Sequence, residues 1–328
     1  MWLRSARFRR SGTAAVVAAL AFTLVRCGPK TKLLPPCDDS PAVPALAART
    51  VVRVAAAGDI ADCHNHDAHR RTAATVRALA PDLVLALGDL AYPNSSLDDL
   101  VDCYGSSWGA FRSITRPAIG NHEYHTEHGG PFFAYFCGAV GEGLRGYYSF
   151  DAGPWHVVAL NSNCGNDLDV PPGIPDEFGG CGADSPQARW LEADLAAHPS
   201  ACTLAMWHHP RFTSGSQHGN GIFMTDLWRV LDRHHVDLVL SGHVHNYERF
   251  APQDADGRPV ATSPRAIVVG TGGAPLKSFG AIGANSEVRF DDAYGVLALE
   301  LAADRYSFRF VDADTGAVRD EGSGVCAP

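Results

Sequence analysis

Five short apolar runs, spread over more than half of the chain, each break off into a loop whose first polar residues are of cation-binding type. Val54–Ala57 runs into Gly58-Asp59, and Leu83–Leu87 runs into Gly88-Asp89 with Tyr92 three residues on. Pro117–Ile119 leads to Gly120-Asn121-His122-Glu123, Leu204–Trp207 to His208-His209-Pro210, and Leu238–Ser241 to Gly242-His243-Val244-His245. Singly, each has an ordinary explanation, because Gly-Asp is a common turn and paired histidines are often solvated. Repetition after five separate runs is hard to reconcile with chance. In open α/β sheets the loops beyond the carboxyl ends of strands are where ligands bind. A chain so patterned is therefore expected to gather these strand ends around one site. The glycine before Asp59, Asp89, Asn121 and His243 is expected to allow a sharp exit and a close backbone approach.

The rest of the pattern fits that expectation. Further β-branched or apolar runs occur at 147–150, 155–160, 266–269, 296–301 and 305–311, and strands are also expected at 51–57, 203–207 and 236–240. Helical periodicity is expected over 68–80, 186–197 and 222–235, with Ser185-Pro186 as an N-cap followed by an N1 proline. Strands alternate with helices early, and the C-terminal third is rich in strands. This ordering predicts an α/β fold with mixed sheets in a single domain over residues 49–328, its core between about 50 and 315. No internal repeat is visible, which argues against a repeat-built adhesin.

The first 27 residues read as an export signal. Arg4, Arg7, Arg9 and Arg10 precede an apolar run from Thr13 to Val25, shorter than the ~20 residues that span a bilayer. Leu24-Val25-Arg26-Cys27 is similar to a lipoprotein cleavage site at which Cys27 would carry lipid, although Arg26 stands where that pattern has a small residue. A cleaved, a lipidated and an anchoring N-terminus all stay open; export to the cell surface or beyond is the common reading. Residues 28–48, with Pro29, Pro35, Pro36, Pro41 and Pro44, read as a linker. Nine cysteines are present, and setting Cys27 aside leaves eight with no C-x-x-C spacing. An even number in an exported chain points to disulfides rather than a zinc site. Of the ~105 pairings open to eight cysteines, Cys164 with Cys181, closing a Gly/Pro-rich loop, is favoured.

A net charge of −9 offers no basic footprint for nucleic acid. Aspartates that bind cations count as negative in that sum and would be neutralised by their ions.

Taken together, Gly58-Asp59, Gly88-Asp89-x-x-Tyr92, Gly120-Asn121-His122-Glu123, the His208 block and Gly242-His243-Val244-His245 resemble the calcineurin-like metallophosphoesterases, and within them the purple acid phosphatase branch. Tyr92 separates that branch from relatives lacking it, and Asn246-Tyr247-Glu248-Arg249 adds to the likeness, which covers residues 52–320. Ala61 departs from it, standing where the branch has glycine.

The resemblance implies a four-layer α/β/β/α sandwich of two mixed β-sheets flanked by helices. It implies one metal ion held by Asp59, Asp89, Tyr92 and His245, and a second by Asp89, Asn121, His208 and His243. Asp89 would bridge ions about 3.5 to 4 Å apart. A tyrosine ionises readily only beside a strongly charged cation, which favours Fe(III) in the Tyr92 site. The second donor set suits Zn, Fe(II) or Mn. The implied reaction is hydrolysis of a small phosphate-ester substrate, a monoester, by a metal-bound hydroxide. His122 would face the substrate, and His218 matches a second substrate-facing histidine by its offset from His208. A phosphodiesterase or nucleotidase with the same ions is the nearest alternative, and a non-catalytic metal-binding surface protein is a more distant one.

Other features carry less. His64, His66 and His69 are expected to be a solvated cluster without a ligand pattern. His122-Glu123-Tyr124-His125 is one residue short of H-E-x-x-H, and Gly270-Thr271-Gly272-Gly273 lacks the ending of a P-loop, reading instead as a tight loop near the site. His209 contends with His208, but Pro210 favours His208.

Overall fold

Two neighbouring strands begin the architecture, one buried along its whole length and the other buried from Val54 onward. β1 (Val51–Ala57) and β2 (Leu83–Leu87) pair in parallel over Val54–Ala57, where both strands are buried, as parallel strands are when both faces of a sheet are covered. β3 (Thr115–Ala118) joins β2 in parallel at the edge, where Pro117 is tolerated because an edge strand need not donate on both sides. On the other flank of β1 lie β11 (Gly295–Ala302), β12 (Arg305–Asp312) and β13 (Val318–Val325), all antiparallel, giving the order β13-β12-β11-β1-β2-β3.

The structure is a computed structural model and describes residues 46–64, 67–141, 143–164, 179–199 and 202–326, all within one compact unit, Leu34–Pro328. The export signal, Cys27, nearly all of the linker and His66 lie outside the described residues. No helix among the described residues is long and apolar enough to cross a membrane.

The second sheet is also mixed. β4 (Tyr148–Ala152), β5 (Trp155–Ala159), β6 (Cys202–Met206), β7 (Leu238–Ser241), β8 (Tyr247–Phe250), β9 (Arg265–Val269) and β10 (Ser286–Phe290) run in the order β10-β8-β9-β7-β6-β5-β4. β5, β6, β7 and β9 are mutually parallel. One hydrophobic cluster joins Val52, Leu85, Leu297 and Phe310 of the first sheet to Val157, Leu204, Leu240 and Ile267 of the second.

Helices cover both sheets. α1 (Ala68–Leu79) packs on β11. Two short helices, α2 (Asn121–Tyr124) and α3 (Gly130–Phe136), follow β3. α4 (Pro186–Ala197) and α5 (Thr225–Arg233) pack on each other over the second sheet, where Trp228 meets Trp207 edge to face. The layers are therefore α/β/β/α, as the resemblance implied. Ser185 caps α4, its Oγ accepting from the Ala188 N–H at 3.0 Å.

Several boundaries differ from expectation. The helix expected over 222–235 begins as a 3-10 turn, Ile222–Met224, and ends at Arg233, because His235 takes a left-handed backbone (φ 52°). β8, β10 and β13 were not expected. Their sequences are charged or glycine-rich, and they are held by pairing and by ions such as Arg249–Asp320 at 2.7 Å. The segment between Tyr92 and β3 forms short 3-10 and π-type turns over 99–114, pinned when Trp108 Nε1–H donates to Thr72 Oγ1 of α1 at 3.0 Å.

Disulfides join Cys63–Cys103, Cys164–Cys181 and Cys202–Cys326. The second is the pairing favoured from sequence; Cys137 is disulfide-bonded too.

Candidate metal centre

Parallel pairing within each sheet sets the ends of β1, β2 and β3 beside those of β6 and β7. Gly58 N–H donates to Val269 O at 2.8 Å and Gly242 N–H to His208 O at 3.0 Å, tying the loops to one another. The backbone at Asp59, Asp89, His243 and His245 is left-handed, with φ of 58°, 51°, 73° and 49°. Such conformations cost free energy in non-glycine residues and cluster at functional sites. Of the glycines that lead into these loops, Gly88 turns the chain with a φ of 83°, whereas Gly120 and Gly242 leave room. A Cβ on Gly120 would stand 2.2 Å from Asp89 Oδ1, and one on Gly242 would stand 2.7 Å from Asp59 Oδ2.

Two groups of donor atoms result. In the first, Tyr92 Oη lies 2.9 Å from Asp59 Oδ1, 3.1 Å from Asp89 Oδ2 and 3.0 Å from His245 Nε2, which is itself 3.2 Å from Asp59 Oδ1. In the second, His208 Nε2 lies 3.1 Å from Asp89 Oδ2, 3.1 Å from Asn121 Oδ1 and 3.3 Å from His243 Nδ1. Asp89 Oδ2 belongs to both groups. The other Asp89 oxygen, Oδ1, accepts the His122 backbone N–H at 3.0 Å.

These separations fit a cation. Adjacent ligands around an ion with bonds of about 2.1 Å stand roughly 3 Å apart. The tautomers fit as well, since His208 Nδ1 donates to Leu87 O at 2.8 Å and His245 Nδ1 to Pro275 O at 2.7 Å. Each leaves Nε2 for the centre, with its ring fixed from behind as in metal sites.

The electrostatics without a cation are those of a crowded, buried set. Burial opposes ionisation of Asp59 and Asp89, yet the imidazoles outweigh it. His245 and then His208 hold Asp59 below the usual carboxylate range, and His208 with His122 holds Asp89 well below. Burial would lower His208, but Asp89 lifts it to about 9. Burial drives His243 well down, helped by His209 and His208. Burial and then the Asp59 and Asp89 carboxylates push the Tyr92 phenol well above 10, so the phenol keeps its proton without a strong positive charge beside it.

His122 sits at the rim, its side chain 25% exposed. Nδ1 is bonded to Pro93 O, leaving Nε2 3.7 Å from Asp89 Oδ2. His218 rests its ring on His243, centroids 4.2 Å apart. His209 is not among the Asp89 partners; its Nδ1 is bonded to Ser162 Oγ at 2.8 Å. Of the cluster expected to be solvated, His64 is exposed, but His69 is buried, its Nε2 3.5 Å from Cys63 Sγ where α1 packs inward. The glycine loop after β9 does lie near the centre, with Gly272 N–H on Gly58 O and Ala274 N–H on Asp59 O, both at 2.9 Å.

Glu123 is a residue that sequence reasoning quoted without assigning. Fully buried, it accepts the N–H groups of Asp89 and Leu90 at 2.9 Å and of Gly120 at 2.7 Å, and the Ser95 hydroxyl at 2.5 Å. One carboxylate thus staples the β2 loop to the β3 loop. The signal was present: an acid three residues after a turn residue, at the start of a helix, reaches back to the cap.

Residues 52–247 match the calcineurin-like phosphoesterase family. Purple acid phosphatase 21 of Arabidopsis thaliana is 32% identical over 242 residues, covering 68% of this chain and 50% of that protein. Acid phosphatase A of Cryphonectria parasitica is 30% identical over 53% of this chain and 38% of its own length. The match thus spans half or less of each relative. A purple acid phosphatase from yellow lupin seeds shares the fold, with a TM-score of 0.67 at 20% identity over 84% of this chain and 54% of that one.

Proposed function

The chain belongs to the calcineurin-like phosphoesterase family, and from that membership we propose that it is an exported dimetal phosphatase acting on phosphate monoesters. The observation that carries the reading is Asp89 Oδ2, one oxygen 3.1 Å from Tyr92 Oη and 3.1 Å from His208 Nε2. Asp59, Asp89, Tyr92 and His245 would hold one ion, and Asp89, Asn121, His208 and His243 the other. The phenol favours Fe(III) in the first position, since only a strongly charged ion offsets the burial and the two carboxylates that hold its proton on. Zn, Fe(II) or Mn suits the second. When bound, such ions supply Lewis acidity toward phosphoryl oxygens and activate water.

The chain's own residues do the rest. The Pro93 bond fixes the His122 ring with Nε2 toward the centre, where it can give a proton to the leaving oxygen. His218 lines the substrate's approach beside His243. Burial of the donors excludes water except at the rim. The disulfides support an oxidising compartment and hence export.

The test is metal analysis and a visible spectrum of native protein, followed by rates on a phosphate monoester and a bis-ester with the same leaving group. Two ions per chain, a tyrosinate-to-iron band and faster monoester turnover are expected. Fewer than two ions, or no turnover of either ester by fully loaded protein, overturns the reading.

A further inference from the structure

We propose that Cys63, Cys103 and His69 form a thiol-gated site for a soft divalent cation, zinc above all, which becomes available when the Cys63–Cys103 disulfide is reduced. None of the three is a donor of the dimetal centre, and the inference does not draw on the function proposed above.

His69 sits in the first turn of α1 and is 1% exposed, yet its ring is aimed at a disulfide, with Nε2 3.5 Å from Cys63 Sγ. One donor atom from each of Cys63, Cys103 and His69 lies within 4.8 Å of the other two. Sulfur is a weak hydrogen-bond acceptor, so an imidazole turned toward a disulfide gains little from it. Thiolate and imidazole, in contrast, are both preferred ligands of zinc. With Zn–S bonds of about 2.3 Å and Zn–N bonds of about 2.0 to 2.1 Å, a sulfur and a nitrogen on one tetrahedral zinc stand about 3.6 Å apart, and two sulfurs about 3.8 Å. The His69–Cys63 separation already matches the first value. The second needs only side-chain rotation once the bond is open, since the two Cα atoms are 5.7 Å apart.

Contacts other than the disulfide hold the three donors together. Ala61 O, just before Cys63 in the chain, accepts the Tyr92 N–H at 2.8 Å. Thr72 Oγ1 donates to Gly272 O at 2.6 Å, which fixes α1, and accepts Trp108 Nε1–H at 3.0 Å, which fixes the turns around Cys103. Reduction therefore leaves two thiols facing an imidazole rather than dispersing them. Cys63 is exposed whereas Cys103 is 5% exposed, so an external dithiol enters at Cys63. Its thiolate attacks Cys63 Sγ, the Sγ–Sγ bond breaks, and the electron pair leaves with Cys103 Sγ, which takes a proton. The second thiolate of the reductant then attacks the reductant's own sulfur in the mixed disulfide and releases Cys63 as a thiol. The reductant departs as a cyclic disulfide, having given up two electrons. Zinc binding displaces the two thiol protons and leaves a fourth position to water. The bond joins the loop that follows Asp59 to the segment that follows Tyr92, and a zinc ion in its place keeps that cross-link in a reducing medium.

The full chain would be compared oxidised and after anaerobic reduction with dithiothreitol and desalting, as wild type, His69→Gln and the double variant C63S/C103S. Cobalt(II) is the spectroscopic probe. Reduced wild type is expected to take up one cobalt per chain beyond the content of the oxidised protein, with a thiolate-to-cobalt charge-transfer band. That extra ion should bind about a hundredfold more weakly in H69Q and be absent from C63S/C103S. Zinc is expected to raise the melting temperature of reduced wild type and to leave that of the oxidised protein unchanged. No extra cobalt in reduced wild type overturns the site, as does equal affinity in H69Q. A thiolate band that persists in C63S/C103S assigns the ion to another cysteine pair and overturns it too.

Discussion

At the scale of single residues, the donor set is poised between protons and metal. His208 is raised to about 9 in the absence of ions, Asp89 outweighing burial. A cation at Nε2 must displace that proton. Metal binding between pH 6 and 8 should therefore release protons, and affinity should rise with pH up to about 9. Calorimetric titration in two buffers of different ionisation enthalpy measures the release, and a buffer-independent heat would contradict it. His122→Ala should lower turnover about a hundredfold while elemental analysis finds metal content unchanged, because its imidazole lies 3.7 Å from Asp89 without joining either donor group. Glu123 has the opposite role. Glu123→Ala leaves three buried N–H donors without an acceptor, a loss of about 3 kcal/mol or more. Chelated protein in a denaturant titration should show it, free of any metal contribution. The legible residues were those that follow an apolar strand directly, since strand ends are visible in sequence. The bond of Glu123 to Gly120 had a local signal, but its bonds to Asp89 and Leu90 depend on which loop lies opposite, and pairing across loops leaves no local trace.

At the scale of elements, the strands read best from sequence were the short apolar runs that end in a turn residue. β1 and β2 have the bounds expected of them, because a short, largely apolar run that stops at a glycine has few other fates. β8 and β13 were missed because tertiary partners, Arg249 with Asp320 and Tyr247 with the same carboxylate, stabilise sequences without alternation. The helix–sheet seam of the second sheet carries a further consequence. His156 of β5 lies between Asp194 of α4 and Asp151 of β4, 2.9 Å from each, and Asp194 also accepts from Ser149. Burial alone would lower His156, but the two carboxylates raise it above 6.5; burial would raise Asp194, but His156 and Ser149 hold it below 3.8. The histidine's contribution is complete below 6.5 and fades as pH climbs through its folded value. The aspartate's is complete above 3.8 and fades as pH falls through its folded value. The stability difference between wild type and His156→Gln should therefore be largest between about pH 4 and 6.5 and shrink on the alkaline side. Melting temperatures of both proteins across that range check it, and a constant difference would refute it.

At the scale of the whole molecule, the disulfide pattern was the least legible part. Eight cysteines leave their partners undetermined until the chain is folded, and the one pair anticipated closes a short loop. Cys202–Cys326 spans 124 residues, and loops of that size give the largest effect in the chain-entropy account. Replacing both with alanine should cost about 3 to 5 kcal/mol in denaturant unfolding. This bond sits where β6 begins, at the opposite end of that strand from His208, and close by Trp155 Nε1–H donates to Ala302 O at 2.7 Å. The two sheets are clamped together at their foot, while each proposed ion draws on at least one aspartate from one sheet and at least one histidine from the other. Slack at the foot would widen both coordination spheres at once. Protein matured among reduced thiols should consequently come out short of both ions in equal measure, with its strands intact.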